Sequence, residues 1–325
     1  SLEELFNNDE INLVAVVTQP DRPKGRGNKL TPPPVKVFAQ EHNIPCFQTE
    51  KISKDIDLLK KLKDLSPDFF VTFAFGQILS QEVLDIPKYA TINLHASLLP
   101  KYRGANPIQR CIYNGDKKTG ITTMLTVLEL DAGDICETKE IDIDENMTDI
   151  DLKQIICDKA PALICSTLKG LYSKTLKPQK QSENGVTIAK KFTKEDGHID
   201  WTKSAECIHN QVRSMVDFPC AYTMCNGKLL KIIETRLINK TDNSKKASTV
   251  LNVSRDGIEV CTGKGCVLIT KVKPESKNVM NAYDFANGAK VSKETKEENK
   301  MFQLTGVIRK LGLSASVAAS VAAFV

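Results

Sequence analysis

The sequence predicts an α/β protein, in which a doubly wound domain with a mainly parallel sheet is followed by a smaller β-barrel domain. Three observations support this fold class. Short β-branched or aromatic runs alternate with helical patterns through the first half of the chain, as in open sheets that carry helices on both faces. A polar stretch with Pro, Ser, Asn and Gly then interrupts the pattern. Beyond it, shorter strand-like runs are separated by Asn-Gly, Asp-Gly and Gly-Lys-Gly turns, which is typical of a small β-rich module.

The first domain is expected over residues 1–173. Leu2, Leu5 and Phe6 share one helical face, so a helix is expected at the start. Thr148 is the predicted N-cap of a long final helix. Strands are predicted at 13–17, 69–73, 90–94, 121–127 and 136–142, and helices at 35–42, 55–65, 81–84, 107–113 and 149–172. This alternation favours a Rossmann-like doubly wound sheet.

Residues 174–185, with the sequence KTLKPQKQSENG, are predicted to be an interdomain linker. The second domain is expected over 186–291, as a β-rich, OB-like barrel that begins with a helix around 204–215. Its predicted strands are 229–233, 249–253, 257–261 and 267–272. Residues 292–325 form a tail to which no role can be assigned. The charge-free part, 311–325, is too short to span a bilayer. It is interpreted as a disordered tail or as a segment that results from a shifted reading frame or an artificial addition.

Composition excludes several classes of protein. With 41% hydrophobic and 26% charged residues, the 325-residue chain is neither fibrous nor wholly disordered, and no apolar run reaches the length of a membrane span. The ten cysteines are scattered and form no Cys-x-x-Cys, so reduced thiols in a cytosolic protein and no metal site are expected. Residues 25–30 lack the third glycine of a G-x-G-x-x-G motif, which disfavours a dinucleotide enzyme.

A polar constellation follows the predicted strand 90–94. Asn93 and His95 are two residues apart, so their side chains project to the same side of a strand. A neutral imidazole can accept a proton from an attacking amine, and an amide N–H can stabilise an oxyanion. Asp131, in a later turn, could orient the histidine. These residues suit acyl transfer to an amine, although a structural histidine and an ordinary Asp-x-Gly-Asp turn remain open as alternatives.

The whole run 93–135 resembles the signature region of the 10-formyltetrahydrofolate-dependent formyltransferases. The resemblance implies that Asn93, His95 and Asp131 are catalytic and that 10-formyltetrahydrofolate is the formyl donor, with no metal required. It also implies folate contacts. Those along the tetrahydrofolate are Ser97, Leu98, Leu99 and Pro100, and those near the pterin pocket are Phe75, Gly76, Gln77 and Ile78.

A basic loop indicates the acceptor. Residues 18–32, TQPDRPKGRGNKLTP, resemble the loop of family members that act on methionyl-tRNA, which implies tRNA contacts by Arg22, Lys24, Arg26 and Lys29. Residues 18–36 carry five Lys or Arg and one Asp, and such a loop can neutralise phosphates. A merely solvated loop is the open alternative. Residues 190–201 and 218–232 are similar to the tRNA-contacting C-terminal domain of those members, and residues 201–290 hold 14 Lys or Arg against 8 Asp or Glu.

The resemblance therefore implies formylation of the α-amine of methionyl initiator tRNA, which gives N-formylmethionyl-tRNA for translation initiation. The expected protein is a monomer, not bound to membranes, in the bacterial cytosol or, in a eukaryote, in an organelle matrix. Two alternatives stay open. One is a formyltransferase or hydrolase of the same family with another acceptor, and the other is an inactive tRNA-binding remnant.

The resemblance does not cover the start of the family's first domain. Family members open with a strand and a Gly-containing turn, followed by the helix that residues 1–8 resemble. Since the first strand of a doubly wound sheet lies centrally, its absence is expected to leave two unpaired strand edges. The chain taken alone is thus predicted to be unstable or inactive.

Overall fold

The computed structural model describes residues 2–24, 29–240, 245–291 and 321–324. Its first part alternates strands and helices as expected, and the second part is mostly strands. The elements up to the linker are α1 (Leu2–Asn7), β1 (Ala15–Thr18), β2 (Arg22–Lys24), β3 (Lys29–Thr31), α2 (Pro34–Glu41), β4 (Cys46–Gln48), α3 (Ile56–Leu65), β5 (Phe69–Phe73), α4 (Gln81–Leu84), β6 (Ala90–His95), β7 (Arg103–Gly104), α5 (Pro107–Tyr113), β8 (Lys118–Leu125), β9 (Ile135–Asp142) and α6 (Asp149–Tyr172).

Local sequence explains where the longest helix begins. The Thr148 hydroxyl accepts a hydrogen bond from the Asp151 N–H, and the Asp151 carboxylate accepts one from the Thr148 N–H. This reciprocal pair satisfies two backbone donors that a helix start otherwise leaves without partners. Helix α6 then buries Leu152, Ile156 and Ile164 against the sheet. The predicted N-cap and the predicted helix are both confirmed.

The central sheet has seven strands in the order β4-β1-β17-β5-β6-β8-β9, where β17 is Val321–Phe324. Pairs β1/β4 and β5/β6 are parallel, and the other four pairs are antiparallel. Since only β17 and β8 run against the rest, five of the seven strands point the same way, and the sheet is mostly parallel in direction. β8 reverses because the connection from β6 stays at the carboxyl end of that strand, where His95 pairs with Thr122.

The two strand edges that were expected to lack partners, those of β1 and β5, are paired within the described residues. β17 lies between β1 and β5 and pairs antiparallel with both, with Val17 opposite Ala322 and Val71 opposite Ala323. Buried backbone N–H and C=O groups require partners, and the apolar run Val321–Phe324 supplies them. Four residues of the tail without an assigned role therefore have a structural place, while 292–320 lie outside the described residues. The expected loss of stability and activity stays a prediction.

The second domain comprises one main sheet with helices packed on it. Its elements are β10 (Ile188–Ala189), α7 (Ala205–Ser214), β11 (Tyr222–Cys225), β12 (Lys228–Ile238), β13 (Val250–Ser254), β14 (Gly257–Cys261), β15 (Cys266–Pro274), β16 (Met280–Asn281) and α8 (Ala282–Ala289). The core surrounds Trp201, whose Nε1 donates to Thr223 Oγ1 at 3.0 Å. Strand order is β11-β12-β15-β14-β13, and no pairing between β11 and β13 closes the sheet within the described ranges. Closure into an OB-like barrel is therefore not confirmed.

Helix α7 joins the two domains through buried polar side chains. His209 Nε2 donates to the Glu145 carbonyl at 3.0 Å, and Arg213 Nη1 donates to the Asp144 and Met147 carbonyls at 3.1 and 2.8 Å. Burial lowers the pKa of His209, because the charged imidazole would lose its hydration. The loop before α6 is thereby held against the second domain.

In the part of the chain that the structure describes, no helix combines sufficient apolar character with the length needed to cross a membrane.

Candidate active site

His95 is the last residue of β6, at the carboxyl end of the central sheet. Its imidazole is 6% exposed, and Nε2 lies 2.8 Å from the Tyr102 carbonyl oxygen. Because a carbonyl only accepts hydrogen bonds, this network assigns the proton to Nε2. In the neutral ring Nδ1 therefore keeps its lone pair and can receive a proton.

Asp131 faces that Nδ1 atom from the turn between β8 and β9. Its Oδ2 lies 3.6 Å from His95 Nδ1 and accepts a hydrogen bond from the Gly104 N–H at 2.7 Å. The first distance exceeds hydrogen-bond range, so the carboxylate acts on the ring mainly through its charge. With side chains only 6% and 12% exposed, solvent screens this interaction weakly. A proton that reaches Nδ1 is consequently stabilised by the facing carboxylate.

Asn93 completes the group from the same strand as His95. Its Nδ2 lies 3.5 Å from Asp131 Oδ1, and its Oδ1 accepts a hydrogen bond from Thr72 Oγ1 at 2.9 Å. Thr72 stands directly opposite Asn93 in the β5/β6 register. Since the amide oxygen is occupied by the threonine hydroxyl, the amide N–H groups point the other way. One of them faces Asp131 Oδ1, and the other can donate to an oxygen that becomes negatively charged.

The structure thus brings the three predicted side chains Asn93, His95 and Asp131 together. The imidazole can accept a proton, the carboxylate can stabilise the resulting charge, and the amide can donate to an oxyanion. This combination suits transfer of an acyl group to an amine. Asn93 and His95 belong to a strand of a packed sheet, which limits their motion.

The turn Ser97 to Pro100 begins two residues after His95. Ser97 is fully buried, and its hydroxyl donates to the Lys101 carbonyl at 2.6 Å. Leu99 is also buried, whereas Leu98 and Pro100 are half-buried. The serine hydroxyl thus stabilises the turn itself, and the side chains of Leu98 and Pro100 are the partly exposed ones of the four.

The loop Phe75 to Ile78 leaves β5, the neighbour of β6, at the same end of the sheet. Phe75 packs in the core, and Gln77 is tied to the end of β4 through hydrogen bonds to the Thr49 carbonyl and the Ile52 N–H at 3.0 and 2.7 Å. Gly76 is exposed with φ at +72°, and Ile78 is 88% exposed. The accessible part of this loop is therefore Gly76 and Ile78.

The basic residues lie on a hairpin that leaves the carboxyl end of β1. Arg22 and Lys24 belong to β2 and Lys29 to β3, and the Arg22 and Lys29 side chains are exposed. Arg26 lies outside the described residues. β1 is three strand positions from β6, or about 14 Å at the usual strand spacing. The hairpin therefore occupies the same end of the sheet as His95.

A half-buried network anchors the base of this hairpin. Lys36 Nζ donates to the Asp21 carboxylate at 2.9 Å and to Gln48 Oε1 at 2.7 Å. The hydrogen bond from Lys36 lowers the pKa of Asp21, and the one from Gln48 adds to it. Helix α2, through Lys36, and strand β4, through Gln48, thus hold Asp21 at the base of the hairpin.

Two family models together cover most of the chain. Residues 3–168 match the formyl transferase family, and residues 191–290 match the formyl transferase C-terminal domain. This chain belongs to the formyltransferase family. The methionyl-tRNA formyltransferase of Clostridium acetobutylicum is 43% identical over 90% of this chain and 94% of its own length, and that of Clostridium perfringens strain 13 is 44% identical over 90% and 93%.

A solved formyltransferase shares the fold. The N-formyltransferase from Helicobacter canadensis, solved with folinic acid and dTDP-3-aminofucose, aligns with a TM-score of 0.61, over 82% of this chain and 93% of that chain. Its sequence identity is 19%, so the likeness concerns the fold alone. The formyltransferase family and the expected two-part architecture are confirmed by these comparisons.

Sequence reasoning missed several residues that hold the formyltransferase site together. Tyr102, Gly104 and Thr72 contact the three predicted side chains directly, and Gln181 binds the backbone of the Asp131 turn. A threonine within the apolar run of β5 and a glycine after Lys-Tyr-Arg were the available local signals. Gln181 had none, because its partners are 48 and 50 residues away.

Two buried cysteines of the first domain are poorly suited to react as thiolates. Burial raises the pKa of Cys111 to about 11 and that of Cys136 to about 12, which disfavours their reactive thiolate forms. Among the described residues, no group of three or more His, Cys, Asp or Glu side chains is suited to hold a metal ion.

Proposed function

We propose that this chain transfers the formyl group of 10-formyltetrahydrofolate to the α-amine of methionyl initiator tRNA. The main structural support is the arrangement of the site, in which His95 Nδ1 faces Asp131 at 3.6 Å beside the Asn93 amide. Two methionyl-tRNA formyltransferases with 43% and 44% identity along nearly the whole chain support this choice of acceptor. The product would be N-formylmethionyl-tRNA, used to initiate translation.

The reaction begins when the methionyl amine attacks the formyl carbon. A C–N bond forms, and the carbonyl electrons move to oxygen, where the Asn93 amide donates a hydrogen bond. The proton lost by the amine passes to His95 Nδ1, and Asp131 stabilises the charged ring. The bond between the formyl carbon and N10 of the folate then breaks, and N10 takes a proton back from the imidazole. Atoms and charges balance without a metal.

The folate is proposed to lie between the two loops that follow β5 and β6. The parts of these loops open to a ligand are Gly76, Ile78, Leu98 and Pro100. Apolar side chains suit the face of a flat pterin ring, and the exposed Gly76 lets the backbone approach the hydrogen-bonding edges of that ring. Ser97, Leu99, Phe75 and Gln77 would support these loops from behind, because their side chains are buried or bonded within the protein.

The tRNA acceptor end is proposed to follow the basic hairpin towards His95. Arg22, Lys24, Arg26 and Lys29 would neutralise phosphates of the bound tRNA. The basic second domain would extend this surface. We also propose that the chain acts as a monomer in the compartment where translation takes place, a bacterial cytosol or an organelle matrix.

A variant of His95 tests the proposal. Wild type and His95→Ala are compared for formylation of methionyl-tRNA with 10-formyltetrahydrofolate, and kcat is expected to fall by roughly 10²- to 10⁴-fold, the usual contribution of a general base. His42→Ala, which removes an exposed imidazole at the end of α2, is the matched control and should retain full activity. Equal rates for wild type and His95→Ala would remove His95 from the mechanism.

A further inference from the structure

Gln181 lies in the segment 174–185 that was predicted to be a linker, and it is bonded to the candidate active site. Its Nε2 donates to the Asp131 and Gly133 carbonyl oxygens at 2.8 and 2.7 Å. Its Oε1 accepts from Arg103 Nε and Nη2 at 3.1 and 2.9 Å. Both N–H groups and the oxygen of this one amide are therefore used.

The two carbonyls belong to the turn that carries the Asp131 side chain. Asp131 adopts φ of +50°, a left-handed conformation that residues other than glycine rarely adopt. Such a conformation persists only where the surroundings hold it. A donor that binds the carbonyls of Asp131 and Gly133 together provides this restraint directly beneath the carboxylate.

The other end of the Gln181 amide holds the opposite side of the site. Arg103 is 8% exposed and stands between two residues that contact the predicted catalytic pair. The Tyr102 carbonyl accepts from His95, and the Gly104 N–H donates to Asp131. Gln181 thereby joins the backbone that orients the imidazole to the backbone that carries the carboxylate.

We propose that Gln181 is a positioning residue for formyl transfer, which sets the separation and angle between Asp131 and His95. The inference rests on the proposed function, and it assigns catalytic importance to the segment between the domains. Gln181 touches neither substrate in this mechanism. Its effect passes through the 131–133 turn and through Arg103.

Gln181→Ala is expected to lower kcat for methionyl-tRNA formylation by roughly 10- to 100-fold, because small displacements of catalytic groups have effects of this size. KM for both substrates should stay within about twofold. Gln181→Glu separates the two ends of the amide, since its carboxylate can still accept from Arg103 but cannot donate to the two carbonyls. It should be as slow as Gln181→Ala, because its carboxylate oxygen would face the two carbonyl oxygens and repel them.

Gln179→Ala is the matched control. Gln179 is exposed and lies two residues earlier, and within the described part of the chain only its backbone is seen to bond, in a pair with Ile135. Its kcat should equal that of wild type. A double-mutant cycle with Asp131→Asn provides a readout that a merely structural role would not move. If Gln181 acts through Asp131, Gln181→Ala should add less than about twofold in the Asp131→Asn background.

The outcomes separate the two proposals. A wild-type protein that transfers no formyl group to methionyl-tRNA overturns the proposed function. An active wild type with Gln181→Ala and Gln181→Glu at wild-type kcat overturns the positioning role alone. Loss of activity that is fully additive with Asp131→Asn also overturns it. If Gln181→Ala melts below the assay temperature, the same two criteria are applied to Gln181→Glu and its cycle with Asp131→Asn.

Discussion

Replacement of Asp131 by asparagine tests the electrostatic core of the site. The change removes the negative charge that faces His95 Nδ1 at 3.6 Å, while the new amide oxygen can still accept the Gly104 N–H. Fold and turn geometry should therefore survive. What is lost is the stabilisation of a protonated imidazole during amine attack.

The magnitude follows from the distance and the burial. At 3.6 Å and an effective dielectric constant of about 20, a unit pair attracts by about 5 kcal/mol. That value is an upper limit, because the amide dipole of asparagine retains part of the interaction. A loss of about 3–4 kcal/mol corresponds to a 10²- to 10³-fold fall in kcat, with KM for methionyl-tRNA nearly unchanged.

Steady-state formylation of methionyl-tRNA measures the effect directly. Asp134→Asn is the matched control, since Asp134 lies in the same turn and, among the described contacts, uses its backbone carbonyl to accept from the Leu125 N–H. The control should keep wild-type kcat. An Asp131→Asn protein within threefold of wild type would refute the assignment of charge stabilisation to this carboxylate.

Three further variants test the architecture around the site. Gly104→Ala puts a Cβ 3.1 Å from a backbone oxygen at φ of +111°, so stability should fall by about 1–3 kcal/mol and kcat should fall with it. The control Gly185→Ala, at φ of +85° with open space around it, should lose stability but keep its kcat. Equal kcat values for the two variants would contradict the role of Gly104. Lys29→Ala should reduce the slope of log K for tRNA binding against log salt concentration by about 0.7–0.9. Lys60→Ala, on α3, should leave that slope unchanged. A wild-type slope for Lys29→Ala would exclude Lys29 from the interface. Burial depresses the pKa of His209, so the stability it confers is present above its ordinary value of 6.5 and is lost as the pH falls below it. His209→Gln should flatten that part of the curve of melting temperature against pH, and unchanged curves would disprove this linkage.

Local patterns predicted the elements well where a chemical signal marked them. The Thr148 cap, the apolar run at 69–73 and the helix at 107–113 required only neighbouring residues, and all three are present. Strand direction was harder to predict. β8 runs antiparallel because its connection from β6 never returns along the sheet, and the spacing of apolar residues carries no information about that path.

The candidate site was predictable where, as for the elements, neighbouring residues carry the signal. Asn93 and His95 share a strand, so their common side followed from the two-residue period. The turn after the next strand suggested Asp131 as their partner, and the family resemblance implied that all three are catalytic. Gln181 and Thr72 could not be found in this way, because their hydrogen bonds join residues 20 to 78 positions apart. Such contacts depend on the completed fold, and they are the contacts that orient the predicted side chains.

The choice of acceptor by the wild-type protein is the most direct measure of the proposed activity. Purified chain and 10-formyltetrahydrofolate are incubated with methionyl initiator tRNA, with uncharged tRNA or with an amino-sugar nucleotide, and the formylated product is identified by mass spectrometry. The proposed mechanism predicts N-formylmethionyl-tRNA as the product, with no folate turnover when methionyl-tRNA is absent. Folate turnover that is independent of methionyl-tRNA, or formylation of the amino sugar in its place, would contradict the mechanism.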